Sequence, residues 1–106
     1  GGQFRSVWVG VGSGERVAGM VAMTAGRFVE AERRLLAADE IALNDPNPLD
    51  KPHVDYWLAR FLRARGRPRD ADEARRRAGA AFDEFARRGD RLSRDHAQEL
   101  LTTLNA

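Results

Sequence analysis

Two stretches forty residues apart, "GRFVEAERR" at 26–34 and "GRPRDADEA" at 66–74, decide the fold. Each reads Gly-Arg, a spacer, then an acidic residue, Ala and a second acidic residue. Upstream of the first, Glu15 to Ala25 carries Val17, Ala18, Met20, Val21 and Met23 among small neighbours, and Gly26 suits the position just past a helix end. Downstream, Phe28, Ala31, Leu35, Ala38 and Ala42 recur at spacings of three and four, predicting a helix over 28–43 with one apolar face. The loop "NDPNPLDKP" stops it. A third helix is expected from Pro52 or His53 to Arg65, with Asp50 as cap and Val54, Trp57, Leu58, Phe61 and Leu62 as its stripe. Gly66 ends it as Gly26 ended the first. A fourth helix fits Arg69 to Arg88, with Ala71, Ala74, Ala78, Phe82 and Phe85 facing one way. "RRGDR" then breaks the chain, and Ser93 caps a last helix ending near Leu104. The expectation is all-α: hairpins over 14–43 and 52–89, and a capping helix over 93–105. Residues 1–13 stand apart as an irregular arm or a remnant of truncation, with a short extended segment from Phe4 to Val11. The leading Gly-Gly-Gln is set aside as a cloning remnant.

An offset of forty aligns more than the two glycines. Gly19 falls on Ala59, Ala18 on Leu58, Ala31 on Ala71 and Ala38 on Ala78. Small side chains are needed where two helix axes approach to about 8–10 Å. The expectation is therefore that Gly19 faces Ala31, and Ala59 faces Ala71, within each hairpin.

Composition sets the outer bounds. The chain has 106 residues, enough for one small domain with a modest core. With 42% hydrophobic and 32% charged residues it reads as a folded domain rather than a disordered chain. No apolar run approaches the roughly 18 residues a membrane span requires, so no membrane partner is expected. Cysteine is absent, which removes disulfides and thiolate metal sites and fits a cytoplasmic protein. The 18 basic residues comprise 17 Arg and Lys51, interspersed with 16 acids. That mixture suits a salt-bridged surface and the usage of a GC-rich bacterial genome better than a polyanion stripe. In the densest basic run, Arg75, Arg76 and Arg77 are consecutive and so fan around about 200° of helix.

With these residues in view, "GMVAMTAGRFVEAERRLLAA" and "LARFLRARGRPRDADEARRRA" resemble the tetratricopeptide family. The forty-residue offset is similar to the longer-period variant of kinesin light chains and of many bacterial multidomain proteins. In that variant an Asp/Pro-containing loop links the repeats, here "NDPNPLDKPH". Two departures are Pro68, which replaces the aromatic of the second unit, and Arg75, which stands where a large apolar residue is usual. They imply looser packing on the outer side of that unit. The resemblance covers about 13–90 and implies a short right-handed solenoid of two hairpins plus a final helix, either part of a longer array or completed as a homo-oligomer.

Chemistry-bearing motifs are few. "GVGSGERVAG" lacks the Gly-Lys-Ser/Thr of a phosphate loop. His53 and His96 fall on different helices with no metal-ligand spacing, so no metal or cofactor is expected. Ser93, Asp95 and His96 spell a triad, but neighbours this close on one helix diverge in direction. No catalytic residue, and no enzyme activity, is expected. The resemblance implies instead a concave face on the first helix of each repeat. The positions carried over are Arg16, Met20 and Met23 on the first such helix and His53, Tyr56, Arg60 and Arg63 on the second. Several cations there favour an acidic peptide or a terminal carboxylate. The same face serves equally to pack against further repeats or another copy. The expected function is a non-catalytic protein-interaction or scaffold module. The alternatives are an Arg-rich nucleic-acid-binding domain, for which the interspersed acids give little support, and a regulatory segment of a larger bacterial enzyme.

Overall fold

Five helices make up the described part of the chain, residues 14–106 of a computed structural model, and these residues contain no strand. They are α1 (14–24), α2 (Phe28–Leu43), α3 (Lys51–Arg65), α4 (Asp70–Arg88) and α5 (Arg91–Leu104). The extended segment read at 4–11 lies outside the described residues. α3 packs against α2 and α4, and α4 packs against α5, so successive helices lie side by side along the chain.

The two Gly-Arg turns begin alike and then part. Gly26 and Gly66 both adopt left-handed backbone, φ 78° and 67°, where a β-carbon would be strained. After Gly26, the Arg27 amide turns back to the Ala22 carbonyl at 2.8 Å and the chain enters α2 at once. After Gly66 that bond cannot form in the same way. Pro68 disfavours helical backbone at Arg67, whose amide donates instead to the Asp70 carboxylate at 3.1 Å. α4 consequently starts four residues after its glycine, and α2 starts two after its own.

This longer turn shifts the face that α4 buries. The buried residues Ala31, Leu35, Ala38 and Ala42 of α2 correspond to Ala74, Ala78, Ala81 and Phe85 of α4, an offset of 43 rather than 40. The expected Ala59–Ala71 approach is thereby corrected. Ala59 is fully buried, but Ala71 is only half-buried, and Ala74 takes the buried place. Phe82, expected on the inner face, is likewise half-buried while Ala81 is inside. Arg75 has no core role. It reaches the end of α5, donating to Asn105 Oδ1 at 3.1 Å and to the Leu104 carbonyl.

In the first hairpin the helices approach closely at Gly19, but against Leu35 rather than the expected Ala31. Gly19 and Ala31 are both buried. A β-carbon on Gly19 would lie 2.7 Å from Leu35 Cγ and 3.3 Å from the Leu35 backbone nitrogen. The core assembled around these crossings joins Ala22, Leu35, Val54, Leu58, Phe61, Ala78 and Leu100, drawn from all five helices. A smaller cluster of Ala81, Phe85 and Ala97 locks α4 to α5.

Two helix starts differ from expectation. Asp50 precedes α3 without capping it, because its carboxylate takes the Arg16 guanidinium of α1 at 2.9 Å. α5 begins at Arg91, two residues before Ser93, since Asp90 rather than Ser93 accepts the cap bond, from the Ser93 amide.

Charged clasps complement the apolar core. Arg77 of α4 donates through Nη1 to Asp39 of α2 and Asp55 of α3, each at 2.8 Å. Lys51 Nζ reaches the same two carboxylates at 3.1 and 2.7 Å. Both aspartates are buried. Arg65 makes a second clasp between Asp70 of α4 and Glu32 of α2. No buried side-chain polar atom among the described residues lacks a partner.

Two glycine substitutions should move stability in opposite directions. Gly19→Val is expected to cost about 1–3 kcal/mol, because Leu35 is wholly enclosed and cannot retreat. Gly79→Ala, in mid-α4 with nothing within 4 Å of the new β-carbon, should add about 0.5–1 kcal/mol. Urea unfolding of both variants checks the pair.

The central clasp makes stability depend on pH. Burial by itself raises the Asp39 pKa, but hydrogen bonds from Arg77 and Lys51 outweigh it and hold the carboxyl below its usual value. A carboxyl lowered in the fold contributes stability above its unfolded pKa, near 4, and that contribution is lost as pH falls further. Asp39→Asn should therefore flatten the acid limb of a stability–pH curve. Arg77→Met, which strands two buried carboxylates on one lysine, should cost about 3 kcal/mol at pH 7. Urea midpoints between about pH 2.5 and 7 test both.

Candidate functional site

α3 exposes one face that neither α2 nor α4 covers, and α5 rises beside it. Between them lies a groove of about 420 Å³. From α3 come His53, Tyr56, Trp57 and Arg60, at the spacings of three and four that align side chains on one helix face. From α5 come Leu92, Ser93 and His96, and Phe85 of α4 lies between the two helices.

The walls are aromatic and ordered by edge contacts. The His53 ring meets Phe85 edge-on at 4.9 Å, and Tyr56 meets Trp57 at 90° and 5.7 Å. Arg60 lays its guanidinium over Trp57, 4.4 Å from the ring centroid, and 5.9 Å from that of Tyr56. This arrangement is a cation–π contact on a side chain that remains exposed. Among the described residues no carboxylate pairs with Arg60. Leu92 at the groove's edge is 68% exposed, an apolar side chain open to a ligand.

His53 is half-buried here. Burial, then the nearby positive charge of Arg16, push its imidazole below the ordinary histidine pKa. The ring is therefore held neutral near pH 7 more firmly than an open histidine would be. Ser93 and His96 share the groove without a hydrogen bond between them, while Asp95 is exposed and accepts from Arg94 at 3.1 Å.

A second, shallower surface adjoins the first through Trp57. Met20, Val21, Thr24 and Ala25 of α1 line it together with that tryptophan. Trp57 thus stands between α1 on one side and the α5 groove on the other.

The seven residues taken from the family resemblance divide accordingly. His53, Tyr56 and Arg60 come together in the groove, and Met20 lies on the adjoining surface. Met23 is packed against the core. Arg16 is held by Asp50, with a further contact from Nη1 to the Met20 sulfur at 3.5 Å. Arg63 is exposed and lines neither surface. Trp57, Phe85, Leu92, Ser93 and His96 are groove residues the sequence reading did not assign. Trp57, expected in the core stripe, does pack against the core, and its remaining side lines the groove. The α5 residues depend on where α5 packs, which the two-unit repeat does not specify.

No protein-family model, no curated protein and no solved structure matches the chain.

The lowered His53 pKa has a defined consequence. The unfolded chain binds a proton near pH 6.5 that the fold resists, so this contribution to stability is complete above that pH and is lost as pH falls through it. An NMR titration should place the His53 midpoint below 6.5, and Arg16→Gln should raise it toward the ordinary value. A midpoint at or above 6.5 in the wild type would contradict the enclosed setting.

Proposed function

We propose that the chain is a non-catalytic interaction module. It is a short tetratricopeptide-like array in which α1, α3 and α5 present one face to an acidic peptide or protein segment. The supporting observation is Arg60, set over an aromatic wall in a groove and free of any acidic partner among the described residues. A carboxylate reaching Arg60 would gain a charge-assisted bond. Trp57, Phe85 and the exposed Leu92 would bury an apolar or aromatic side chain beside it. Ser93 and the two imidazoles supply hydrogen bonds to the ligand backbone. The setting envisaged is a bacterial cytoplasmic scaffold or the regulatory part of a larger enzyme.

A different distribution of arginines favours a polyanion as the second reading. The densest basic run, Arg75 to Arg77 with Arg87 and Arg88, is paired with acids throughout. Arg27, Arg63, Arg67 and Arg69 have no ion-pair partner among the described residues and sit at or beside the two hairpin turns. Phe28 and Phe61, with ring centroids 6.1 Å apart, and the Arg65–Glu32 bond bring those turns together. This cluster is separate from the groove, so the two readings call on different residues.

Binding can be read from Trp57 in a Trp8→Phe background, which leaves it the sole tryptophan. Titration with ten-residue peptides rich in Asp and Glu and carrying one Phe should shift its emission. Lys-rich counterparts should not. Arg60→Glu is expected to weaken the acidic peptides at least about tenfold, near 1.4 kcal/mol, while Arg63→Glu leaves them unchanged. If Arg60→Glu binds as the parent does with its helicity intact, the groove assignment fails. Binding of a random duplex that falls steeply with salt, and is lost in an Arg63→Glu/Arg67→Glu variant, would favour the second reading.

A further inference from the structure

α2 turns a single stripe to solvent, made of Val29, Arg33, Leu36, Glu40 and Leu43. Their spacing of four, three, four, three confines them to about 80° of the helix circumference. Val29, Leu36 and Leu43 are 86%, 49% and 67% exposed. Isolated exposed leucines are ordinary on protein surfaces, but Val29, Leu36 and Leu43 recur every seven residues on one face and fill one of the two apolar positions of a helix-pairing seam, with Arg33 and Glu40 at the other. Among the other helices α1 exposes two aliphatics, Val17 and Val21, and α5 one, Leu92, but none carries three in heptad register. α4 exposes Asp72, Arg76, Ala80, Asp83 and Arg87, and α5 exposes Asp95, Gln98, Glu99 and Thr102.

The two charges within the stripe indicate what covers it. Arg33 and Glu40 lie on either side of Leu36, opposite in sign. If a second α2 runs antiparallel across the first with the two Leu36 residues at the centre, Val29 meets the other copy's Leu43. Arg33 of each copy then approaches Glu40 of the other. The stripe is therefore complementary to itself in both shape and charge, the requirement for an isologous two-fold contact. Among the described residues Arg33 is paired only with Glu30 on its own helix, 2.8 Å away and on the surface, a pair of little strength that it can leave or share. Glu40 has no ion-pair partner among the described residues.

We infer that the outer face of α2 is a self-association surface, through which two copies of this chain pair antiparallel. It does not depend on the groove, which lies on α3 and α5. Two sixteen-residue helices overlap along about 24 Å, giving an interface below the roughly 1,200 Å² of stable complexes. The dimer is accordingly weak and concentration-dependent, with Kd on the order of tens of micromolar.

Sedimentation velocity on the whole 106-residue chain, from about 1 to 500 µM, tests it around the expected Kd. The weight-average mass should rise from monomer toward dimer, and Leu36→Glu should remove the rise. Arg33→Glu and Glu40→Arg, which each set like charges together, should weaken pairing at least about tenfold. The double variant Arg33→Glu/Glu40→Arg restores opposite charges across the two-fold and should recover most of the loss. Circular dichroism verifies that each variant is folded, as substitutions on a solvent-facing stripe should be. A chain monomeric throughout, whatever else covers the stripe, overturns the inference. So does a dimer that survives Leu36→Glu, or a double variant no better than the single ones.

Discussion

The close approach of helix axes at small side chains is the constraint on which the rest depends. Ala31, Ala59, Ala74, Ala78, Ala81 and Ala97 are wholly enclosed, and Gly19 leaves no room for a methyl group against Leu35. Alanine contributes little apolar area, so a core built on it is thin. It offsets this by letting the few large residues, Leu35, Val54, Phe61 and Phe85, reach across two helices at once. At such crossings extra volume is costly, because close-packed neighbours have no void to move into.

A thin core leaves the packing angle of neighbouring hairpins weakly specified, since alanine faces slide on one another more easily than interlocked leucines. The buried charges supply the missing specificity. Arg77 reaches past α3 to hold Asp39 on α2, with Asp55 and Lys51 closing the cluster. The Arg65 clasp repeats the device at the turn end. Buried ion pairs add little net stability relative to apolar replacements. Their directional bonds instead tie three helices to one arrangement.

The helices were legible because their signals are local. Period, proline loop and glycine stop all lie within a few residues of what they determine, and the predicted bounds of α2 coincide with the observed ones. The α4 face was legible in part: Ala74, Ala78 and Phe85 are buried as expected, while Ala71 and Phe82 are only half-buried. α4 starts two residues later after its glycine than α2 does, and Ala81 takes the inward place expected of Phe82. The start of α5 was missed. Asp90 was read with its neighbours as a chain break, whereas it caps the helix. The candidate site was half legible. Tyr56 and Arg60 share a face by spacing alone, and Trp57 was credited to the core by the same rule. The pairing of Arg16 with Asp50, 34 positions away, could not be inferred from periodicity.

Trp57 shows how the hub position of α3 leaves an aromatic face uncovered. A helix packed on two sides by α2 and α4 has a third side left. Its Val54, Leu58 and Phe61 satisfy the packed sides and are nearly inaccessible. Trp57, Tyr56 and Arg60 occupy the remaining side and cannot all be buried, because α1 and α5 flank it without closing over it. Stacking Arg60 on Trp57 shields part of the indole while keeping the cation in water. The free surface is thus left apolar beneath and positive above.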